Sequence, residues 1–323
     1  MDVRRPTKDF AVSETAPELD SLIYYRMAGK KRKAHATWYR GETTNYHPMR
    51  ASLAEADAVE RYVGHGWLPK VPFIGKDDYV TAFGSCFAAE MTKFLLAKGF
   101  RVFGNDRNVK AHVIRSGEGI VNTAALRQQF EWAFQGKAPR SEVWHEKDGR
   151  VAEVSEEIEA ATRRIFLSTD VFVFTLGLSE VWYDRETGDV LWRAVPKHAF
   201  DPDRHAFRVL GAEENRANIA AVYDMIRQHR PDAHIVLTLS PIPLAATFRP
   251  VSCMTANSVS KASLRVAIDE VMRANAADEK LHYFPSYEIV TAFLPDALGD
   301  DLRHPRPETV DFVMATFERH FLK

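Results

Sequence analysis

The residues of this 323-residue chain best suited to chemistry begin with a serine and a cysteine at the junction of a predicted strand and a predicted helix. An apolar, strand-like run ends at Gly84, and from Cys86 to Phe100 apolar residues recur every three to four positions, as in an amphipathic helix. Ser85 and Cys86 lie at the turn between the two elements. Side chains at such a turn are exposed beside unpaired N–H groups and a partial positive charge, a common place for a nucleophile.

The rest of the sequence supplies elements that would position such a turn. Apolar runs at 79–84, 171–176, 234–239 and 281–284 predict strands, and the unbroken runs are typical of parallel sheets covered on both faces. Helical patterns separate them, at 122–134, 154–167, 213–228, 258–274 and 309–321. This alternation predicts a three-layer α/β/α sandwich with a doubly wound, mainly parallel sheet. In such a sheet the site forms at the carboxyl ends of the strands.

The first part of the chain has a different pattern. Residues 1–72 show little regular periodicity and carry the basic run Lys30–Lys33. We interpret them as an irregular N-terminal arm or cap packed on an α/β domain of residues 73–323. The basic run is either a solvated face or a contact for an anionic group such as a phosphate. Self-association through the arm is a further alternative, so an oligomer is one expected outcome.

Composition argues against several classes of function. The 44 acidic and 43 basic residues nearly cancel, so no overall field attracts nucleic acid. No apolar run approaches the roughly 20 residues of a membrane helix, and no signal peptide is recognised. Two cysteines cannot form a disulfide framework, and the histidines lack the spacing of a metal site. We expect a cytoplasmic protein that binds neither nucleic acid nor a metal and does not insert into a membrane.

The sequence around the turn also resembles a known family. Gly84-Ser85-Cys86-Phe87-Ala88 spells the motif after which the GSCFA family, a branch of the SGNH hydrolase superfamily, is named. Segments that resemble the family's later blocks follow in the same order, at Thr175–Trp182, Leu239–Pro243, Ser260–Lys261, Tyr283–Glu288 and Asp301–Pro305. The resemblance implies the SGNH, flavodoxin-like form of the predicted sandwich and an enzyme that transfers acyl groups.

The resemblance makes Cys86 the first candidate nucleophile. When the superfamily's Gly-Asp-Ser block is laid on Gly84, Cys86 rather than Ser85 takes the nucleophile position. The positive end of a helix favours the thiolate, which is the reactive form of a cysteine. Ser85 stands where a helix N-cap belongs. Three interpretations stay open: nucleophilic Cys86, nucleophilic Ser85, or a Cys86 that is only a small buried apolar residue.

The last block supplies a candidate base. Asp301 and His304 form an Asp-x-x-His pattern that resembles the superfamily's final block. Three positions apart on a turn, the carboxylate can hold one imidazole nitrogen, and the other nitrogen is then available to accept a proton. We expect His304 to be the general base and Asp301 its orienting partner. Asp300 is an alternative partner, and ordinary turn chemistry is the alternative to any catalytic role.

The next candidates concern the oxyanion and the substrate. The backbone N–H of Cys86 is a candidate oxyanion donor. In the superfamily a Gly of the second block and an Asn of the third complete the oxyanion hole, and the resemblance makes Gly119 the candidate for that Gly. The segment that resembles the third block has Ser179 in place of Asn and Glu180 in place of Asp. A hydroxyl offers one donor where an amide offers two, so Ser179 is either a weaker oxyanion donor or a cap. Glu180 either binds substrate or holds the Ser179 loop.

Further polar and aromatic residues extend this set. Ser240 directly follows a predicted buried strand, so its loop is expected near the site. Lys261, at a predicted helix start, either binds an anionic group or is exposed to solvent. Trp182 and Trp192 either stack on a sugar ring or are buried packing residues.

Together these features predict an SGNH-like enzyme that moves an acyl group to or from a carbohydrate or another hydroxylated substrate. Acetyl is the first candidate for the acyl group. No cofactor is required, and acyl-CoA is a candidate donor substrate. Esterase and O-acetyltransferase share the formation of an acyl-enzyme, and the family's association with polysaccharide biosynthesis favours the transferase slightly. The alternative is a non-catalytic glycan- or metabolite-binding protein that retains the fold, motivated by the changes at Ser179 and Glu180.

Overall fold

The computed structural model describes residues 22–35, 45, 47–84, 86–103, 111–112, 122–146, 148–192 and 194–323. The chain divides into two compact units, Met1–Ser52 and Leu53–Lys323. Residues 53–72 thus belong to the same unit as the sheet, and the predicted division at residue 72 stays a prediction.

The first unit contains more regular structure than the irregular arm we expected. Strands β1 (Leu22–Met27) and β2 (Lys30–His35) pair antiparallel, so the basic run lies on a strand. Ala28 and Gly29 join them, and both have positive φ. Two such residues in a row make the tight turn whose twist suits a hairpin.

The second unit alternates strands and helices. Its strands are β3 (Tyr79–Gly84), β4 (Arg101–Val102), β5 (Val171–Leu176), β6 (Glu180–Asp184), β7 (His205–Val209), β8 (His234–Leu239) and β9 (Leu281–Tyr283). Its helices are α1 (Cys86–Ala97), α2 (Thr123–Gln135), α3 (Glu156–Ser168), α4 (Ala212–His229), α5 (Cys253–Ala274), α6 (Ser286–Glu288) and α7 (Pro307–Phe321). Short π-helical turns lie at Glu60–Gly64 and Ile289–Phe293. No helix in the described ranges is both long and apolar enough to cross a bilayer.

Five of these strands form one parallel sheet, in the order β4-β3-β5-β8-β9. Counted within the sheet alone, this is the order 2-1-3-4-5, the flavodoxin-like form of the doubly wound sheet. The predicted fold class is therefore confirmed.

Alternating side chains of the strands enter two separate apolar cores, which makes the unit three layers deep. Val171 and Val173 of β5 pack with α1 and α7 on one face. Phe172 and Phe174 of the same strand pack with α2, α4 and α5 on the other face. Because both faces are covered, the central strands read as unbroken apolar runs in the sequence.

Two features differ from the sequence prediction. Strands β6 and β7 form an antiparallel hairpin that was not predicted, with Glu180 paired to Val209 at its base. Helix α5 begins at Cys253 rather than 258. The earlier start places Lys261 well inside the helix instead of at its first turn.

Candidate active site

The turn that carries the motif lies where the order of the sheet reverses. Strand β3 leads through α1 to β4 on one side, and the chain returns to β5 on the other side of β3. A crevice opens at such a reversal, outside the carboxyl ends of the strands. Gly84 ends β3 there with φ +141°, and a Cβ on it would lie 2.5 Å from the carbonyl oxygen of Thr175 in β5. Only glycine allows the two strands to approach so closely before the chain turns.

Cys86 is the first residue of α1 and carries an exposed free thiol. The next residue, Phe87, is buried in the core between α1 and the sheet, so the helix start is anchored while the thiol faces outward. The interpretation of Cys86 as a buried apolar residue is therefore wrong. Ser85 and Gly119 lie outside the described residues, and their predicted roles stay predictions.

Asp301 holds His304 in the way that the spacing predicts. The Nδ1–H of His304 donates to Asp301 Oδ2 at 2.5 Å, while Oδ1 accepts from the backbone N–H groups of Arg303 and His304, each at 2.9 Å. The hydrogen bond from His304, together with the two backbone donors, holds the pKa of Asp301 well below its usual range. The structure places Asp301, not Asp300, on the imidazole. With Nδ1 engaged, Nε2 is the nitrogen able to accept a proton from a nucleophile.

The loop that carries this pair is fixed on the α1 side of the sheet. Its ends are joined by hydrogen bonds from Gly299 N–H to the His304 carbonyl, 2.8 Å, and from Arg306 N–H to the Ala297 carbonyl, 2.9 Å. Leu298 in the loop packs against the same apolar core that holds Phe87 of α1. The thiol and the imidazole thus belong to segments that share one face of the sheet.

Ser179 has its hydrogen-bonding groups engaged within the protein. It is fully buried, its hydroxyl donates to the Ser260 carbonyl at 3.1 Å, and its N–H donates to Ser260 Oγ at 2.8 Å. Asn215 Nδ2 donates to the Ser179 hydroxyl at 3.2 Å. The hydroxyl proton that an oxyanion would require is already donated to Ser260 in this arrangement, which favours the alternative that Ser179 is a structural cap.

A buried polar network behind Ser179 was not anticipated from the sequence. Asn215 Oδ1 accepts from the Thr123 hydroxyl at 2.7 Å, and Asn218 Nδ2 donates to the same hydroxyl at 3.2 Å. This network joins α4 to the start of α2. The signal was present in the sequence, because the two asparagines are placed at helical spacing with the buried Ile219 and Val222.

Lys261 is buried, with 2% of its surface accessible, so of the two open alternatives the one of a solvent-exposed side chain is wrong. Its ammonium donates to the carbonyls of Gly177 at 3.1 Å, Ser240 at 2.8 Å and Ile242 at 2.8 Å. All three protons are engaged, so none is available to an anionic ligand in this arrangement. Burial lowers the pKa of Lys261 to about 7. The side chain ties the loop after β5 to the loop after β8.

Ser240 shapes the same region from the end of β8. It is buried, its N–H donates to the Leu176 carbonyl at 2.8 Å, and its hydroxyl accepts from the N–H of Ile242 at 3.3 Å. These bonds turn the chain out of β8 and present the two carbonyls that Lys261 binds. Ser240 therefore lies at the carboxyl edge of the sheet with its hydroxyl directed to its own loop, and its role near the site stays a prediction.

Glu180 and the tryptophans complete the predicted set. Both carboxylate oxygens of Glu180 accept from the Thr247 hydroxyl, at 2.8 and 2.9 Å. Trp192 stacks on Trp144 with ring centroids 5.0 Å apart in an apolar cluster, which supports its interpretation as a packing residue. Trp182, two residues after Glu180 on β6, contacts the ring of Phe248.

The arrangement offers an exposed thiol at a helix start and an imidazole oriented by a carboxylate, the parts that nucleophilic acyl transfer uses. Within the described ranges, no group of three or more His, Cys, Asp or Glu side chains is placed to hold a metal ion.

Several solved structures are similar to this chain. A carbohydrate esterase family 3 protein from Talaromyces cellulolyticus is 12% identical with a TM-score of 0.37, over 75% of this chain and 95% of that chain. An acetyl xylan esterase from the rumen bacterium Butyrivibrio proteoclasticus is 13% identical with a TM-score of 0.38, over 77% and 65%. A family 3 carbohydrate esterase from Clostridium thermocellum is 10% identical with a TM-score of 0.35, over 75% and 94%.

In sequence, no curated protein matches the chain. The sequence model of the GSCFA family matches residues 79–317, which include the motif turn, the Lys261 region and the Asp301–His304 loop. Because this match covers well over half of the 323 residues, the chain belongs to the GSCFA family.

Proposed function

We propose that this protein is an SGNH-like acyl-transfer enzyme in which Cys86 forms a covalent acyl-enzyme and His304 acts as general base. The observation that carries the proposal is the 2.5 Å hydrogen bond between Asp301 and His304. That bond sits on a loop sharing a face of the sheet with the exposed thiol of Cys86. Ordinary turn chemistry accounts for the two backbone N–H groups that Asp301 Oδ1 accepts, but it does not require the additional bond between Oδ2 and the imidazole.

The first half-reaction follows from these groups. His304 Nε2 takes the thiol proton, and the Cys86 sulfur attacks the carbonyl carbon of the acyl donor. As the tetrahedral intermediate collapses, its bond to the leaving oxygen or sulfur breaks, and the imidazolium returns the proton to that atom. Asp301 keeps Nδ1–H oriented and stabilises the imidazolium while it carries the extra proton.

The developing oxyanion needs donors already in place. The N–H groups of the first turn of α1 have no partner within the helix, and the Cys86 N–H is the nearest of them to the thiol. The Ser179 hydroxyl is engaged elsewhere, so backbone donors carry this role in the proposal. Gly119 remains a candidate for a second donor.

The second half-reaction decides between hydrolase and transferase. Water attacking the thioester makes the protein an esterase, whereas a sugar hydroxyl makes it an O-acetyltransferase. We propose a carbohydrate or polysaccharide precursor as the hydroxylated substrate and acetyl-CoA as a candidate donor. A cytoplasmic location and a role in polysaccharide biosynthesis belong to the same proposal.

Intact-mass measurement after exposure to acetyl-CoA or a chromogenic acetyl ester tests the nucleophile. We expect one acetyl group on Cys86, lost in Cys86→Ala and strongly slowed in His304→Ala. Cys253→Ala is the matched control, because Cys253 is the second free thiol and is only partly exposed. An adduct that maps to Ser85 and persists in Cys86→Ala would transfer the role to Ser85.

A non-catalytic glycan- or metabolite-binding protein is the second candidate. The observation that favours it is the engaged Ser179 hydroxyl, which removes a side-chain oxyanion donor. This candidate predicts that neither acetyl donor labels the protein or is turned over, while small hydroxylated ligands still bind. Turnover that depends on both Cys86 and His304 would exclude it.

A further inference from the structure

A second polar site lies beside the β6–β7 hairpin. Glu180 and Trp182 are two residues apart on β6 and so point to the same face of the strand. Thr247 and Phe248, in the loop after β8, cover that face. Phe200 contacts the Trp182 ring from another segment. We refer to these five residues as the Glu180 cluster.

The carboxylate of Glu180 retains capacity to accept hydrogen bonds. The residue is 8% exposed, and a single donor, the Thr247 hydroxyl, serves both of its oxygens. Among the described residues, no Lys, Arg or His nitrogen forms an ion pair with it. A carboxylate has about four lone-pair sites, and a buried one is costly unless it is paired. The described residues thus supply the Glu180 carboxylate with fewer hydrogen-bond donors than it can accept.

Two exposed phenylalanine rings pack on Trp182, which lies on the same face of β6 as Glu180. Trp182 packs edge-on against Phe248 at 5.0 Å and Phe200 at 5.8 Å between ring centroids. Phe248 is 53% exposed and Phe200 is 49% exposed. Phenyl rings half in solvent beside a buried carboxylate offer apolar faces to a ligand that also donates hydrogen bonds.

We infer that the Glu180 cluster is the subsite that binds the sugar acceptor or the sugar portion of the substrate. The C–H groups of the sugar ring would pack on the phenyl faces, and the sugar hydroxyls would donate hydrogen bonds to Glu180. The inference rests on the proposed function and assigns residues to the binding of its carbohydrate substrate. The loops involved follow the carboxyl ends of β5 and β8, the same edge of the sheet that carries Cys86. A sugar bound there donates hydroxyls to the remaining lone pairs of the carboxylate.

The alternative occupant for a carboxylate among aromatic rings is an organic cation. Arg249 argues against it. The backbone N–H of Arg249 donates to the Thr247 hydroxyl at 3.2 Å, so this arginine belongs to the loop that covers Glu180. A positive charge in this loop opposes a cationic ligand, and its N–H groups can donate to sugar oxygens.

Calorimetric titration of the full chain with cellohexaose, xylohexaose and chitohexaose tests the subsite, with choline chloride as the cationic probe. We expect at least one oligosaccharide to bind and choline not to bind. Glu180→Gln keeps the shape but removes the charge, and should weaken oligosaccharide binding about tenfold. Phe248→Ala should weaken it about fivefold, since stacking on the ring is lost.

Two matched variants control for nonspecific effects. Glu186→Gln changes an exposed carboxylate on the same hairpin, and Met254→Ala removes an exposed apolar side chain just beyond the same loop. Both should leave oligosaccharide binding within about twofold of the unchanged protein. Equal binding by Glu180→Gln, Phe248→Ala and their controls would overturn the inference, as would binding of choline alone or of none of the four probes.

The proposed function and the subsite fail separately. Turnover of a chromogenic acetyl ester that disappears in Cys86→Ala reports on the acyl-enzyme and involves no sugar. Ester turnover without oligosaccharide binding would overturn the subsite and leave the acyl-enzyme in place. Oligosaccharide binding that depends on Glu180, without ester turnover, would retain the subsite and remove the acyl-enzyme.

Discussion

Two regions at the carboxyl edge of the sheet contain similar polar residues but use them differently. In the reactive region, Cys86 is exposed, and His304 and Asp301 are about half exposed, with side-chain accessibilities of 51% and 49%. In the supporting region, Ser179 and Lys261 are buried, and every donor they possess is given to a protein carbonyl or hydroxyl. Residue type alone therefore does not distinguish them.

The difference lies in which hydrogen-bonding groups remain available. A nucleophile and its base must reach a substrate, so their reactive atoms cannot be enclosed by the fold. A residue that fixes a loop works in the opposite way, because burial strengthens each of its bonds and makes an unpaired group costly. Substitutions in the reactive region should impair turnover, and those in the supporting region should impair stability.

Asp301→Asn should have the largest effect. The amide would present N–H instead of oxygen to Nδ1, which disfavours the tautomer that leaves Nε2 able to accept a proton. We expect acetyl-ester turnover to fall about 100- to 10,000-fold, while the urea midpoint changes little because the side chain is half exposed. Asp300→Asn is the matched control and should stay within about twofold of the unchanged enzyme. Equal losses in the two variants would contradict the assignment of Asp301.

Lys261→Met tests the supporting region. The thioether keeps much of the volume but leaves the carbonyls of Gly177, Ser240 and Ile242 without their shared donor. We expect the free energy of unfolding to fall by about 2–4 kcal/mol in urea titrations at pH 7. Lys70→Met, at an exposed lysine, should change it by less than about 0.5 kcal/mol. Similar stabilities for both variants would mean that Lys261 does not hold the two loops.

Ser179→Ala should have a smaller effect of the same kind. It removes the bond to the Ser260 carbonyl and the acceptor for Asn215, which should cost about 1–2 kcal/mol of unfolding free energy. Turnover of the acetyl ester should fall no more than about threefold. A loss near 100-fold with unchanged stability would instead show an oxyanion donor and move Ser179 into the reactive region.

The sequence predicted the strands and turns that carry both regions better than it predicted which polar residues are exposed and which are buried. Strands at 171–176 and 234–239 were predicted to the residue, because strands covered on both faces form unbroken apolar runs. The Asp301–His304 contact was predicted because both partners lie on one short turn. Local spacing was sufficient for the strands, whereas the choice of Asp301 over Asp300 required the structure.

What the sequence did not reveal depends on residues far apart in the chain. Lys261 is buried because carbonyls from two separate loops meet its ammonium, and no local pattern encodes that meeting. The Glu180 cluster likewise combines β6 with a loop more than 60 residues later. The β6–β7 hairpin was missed because its strands are short and only partly buried, so neither gives a continuous apolar run.

The pH dependence of stability gives the smallest effect and the most direct measure of Lys261. Burial lowers the pKa of Lys261 to about 7, whereas the unfolded chain keeps the usual value of 10.5. Between these values the unfolded state binds more protons than the folded state, so stability rises with pH across that window and is constant below it. The unfolding free energy should increase by about 1 kcal/mol from pH 7 to pH 8 relative to Lys261→Met, measured by urea titration at each pH. The three carbonyl acceptors stabilise the charged ammonium, so they oppose the lowering of the pKa by burial and would reduce this rise in stability. A flat difference would therefore mean that these carbonyls, rather than burial, determine the charge of Lys261, and that it supports the loops as a permanent cation.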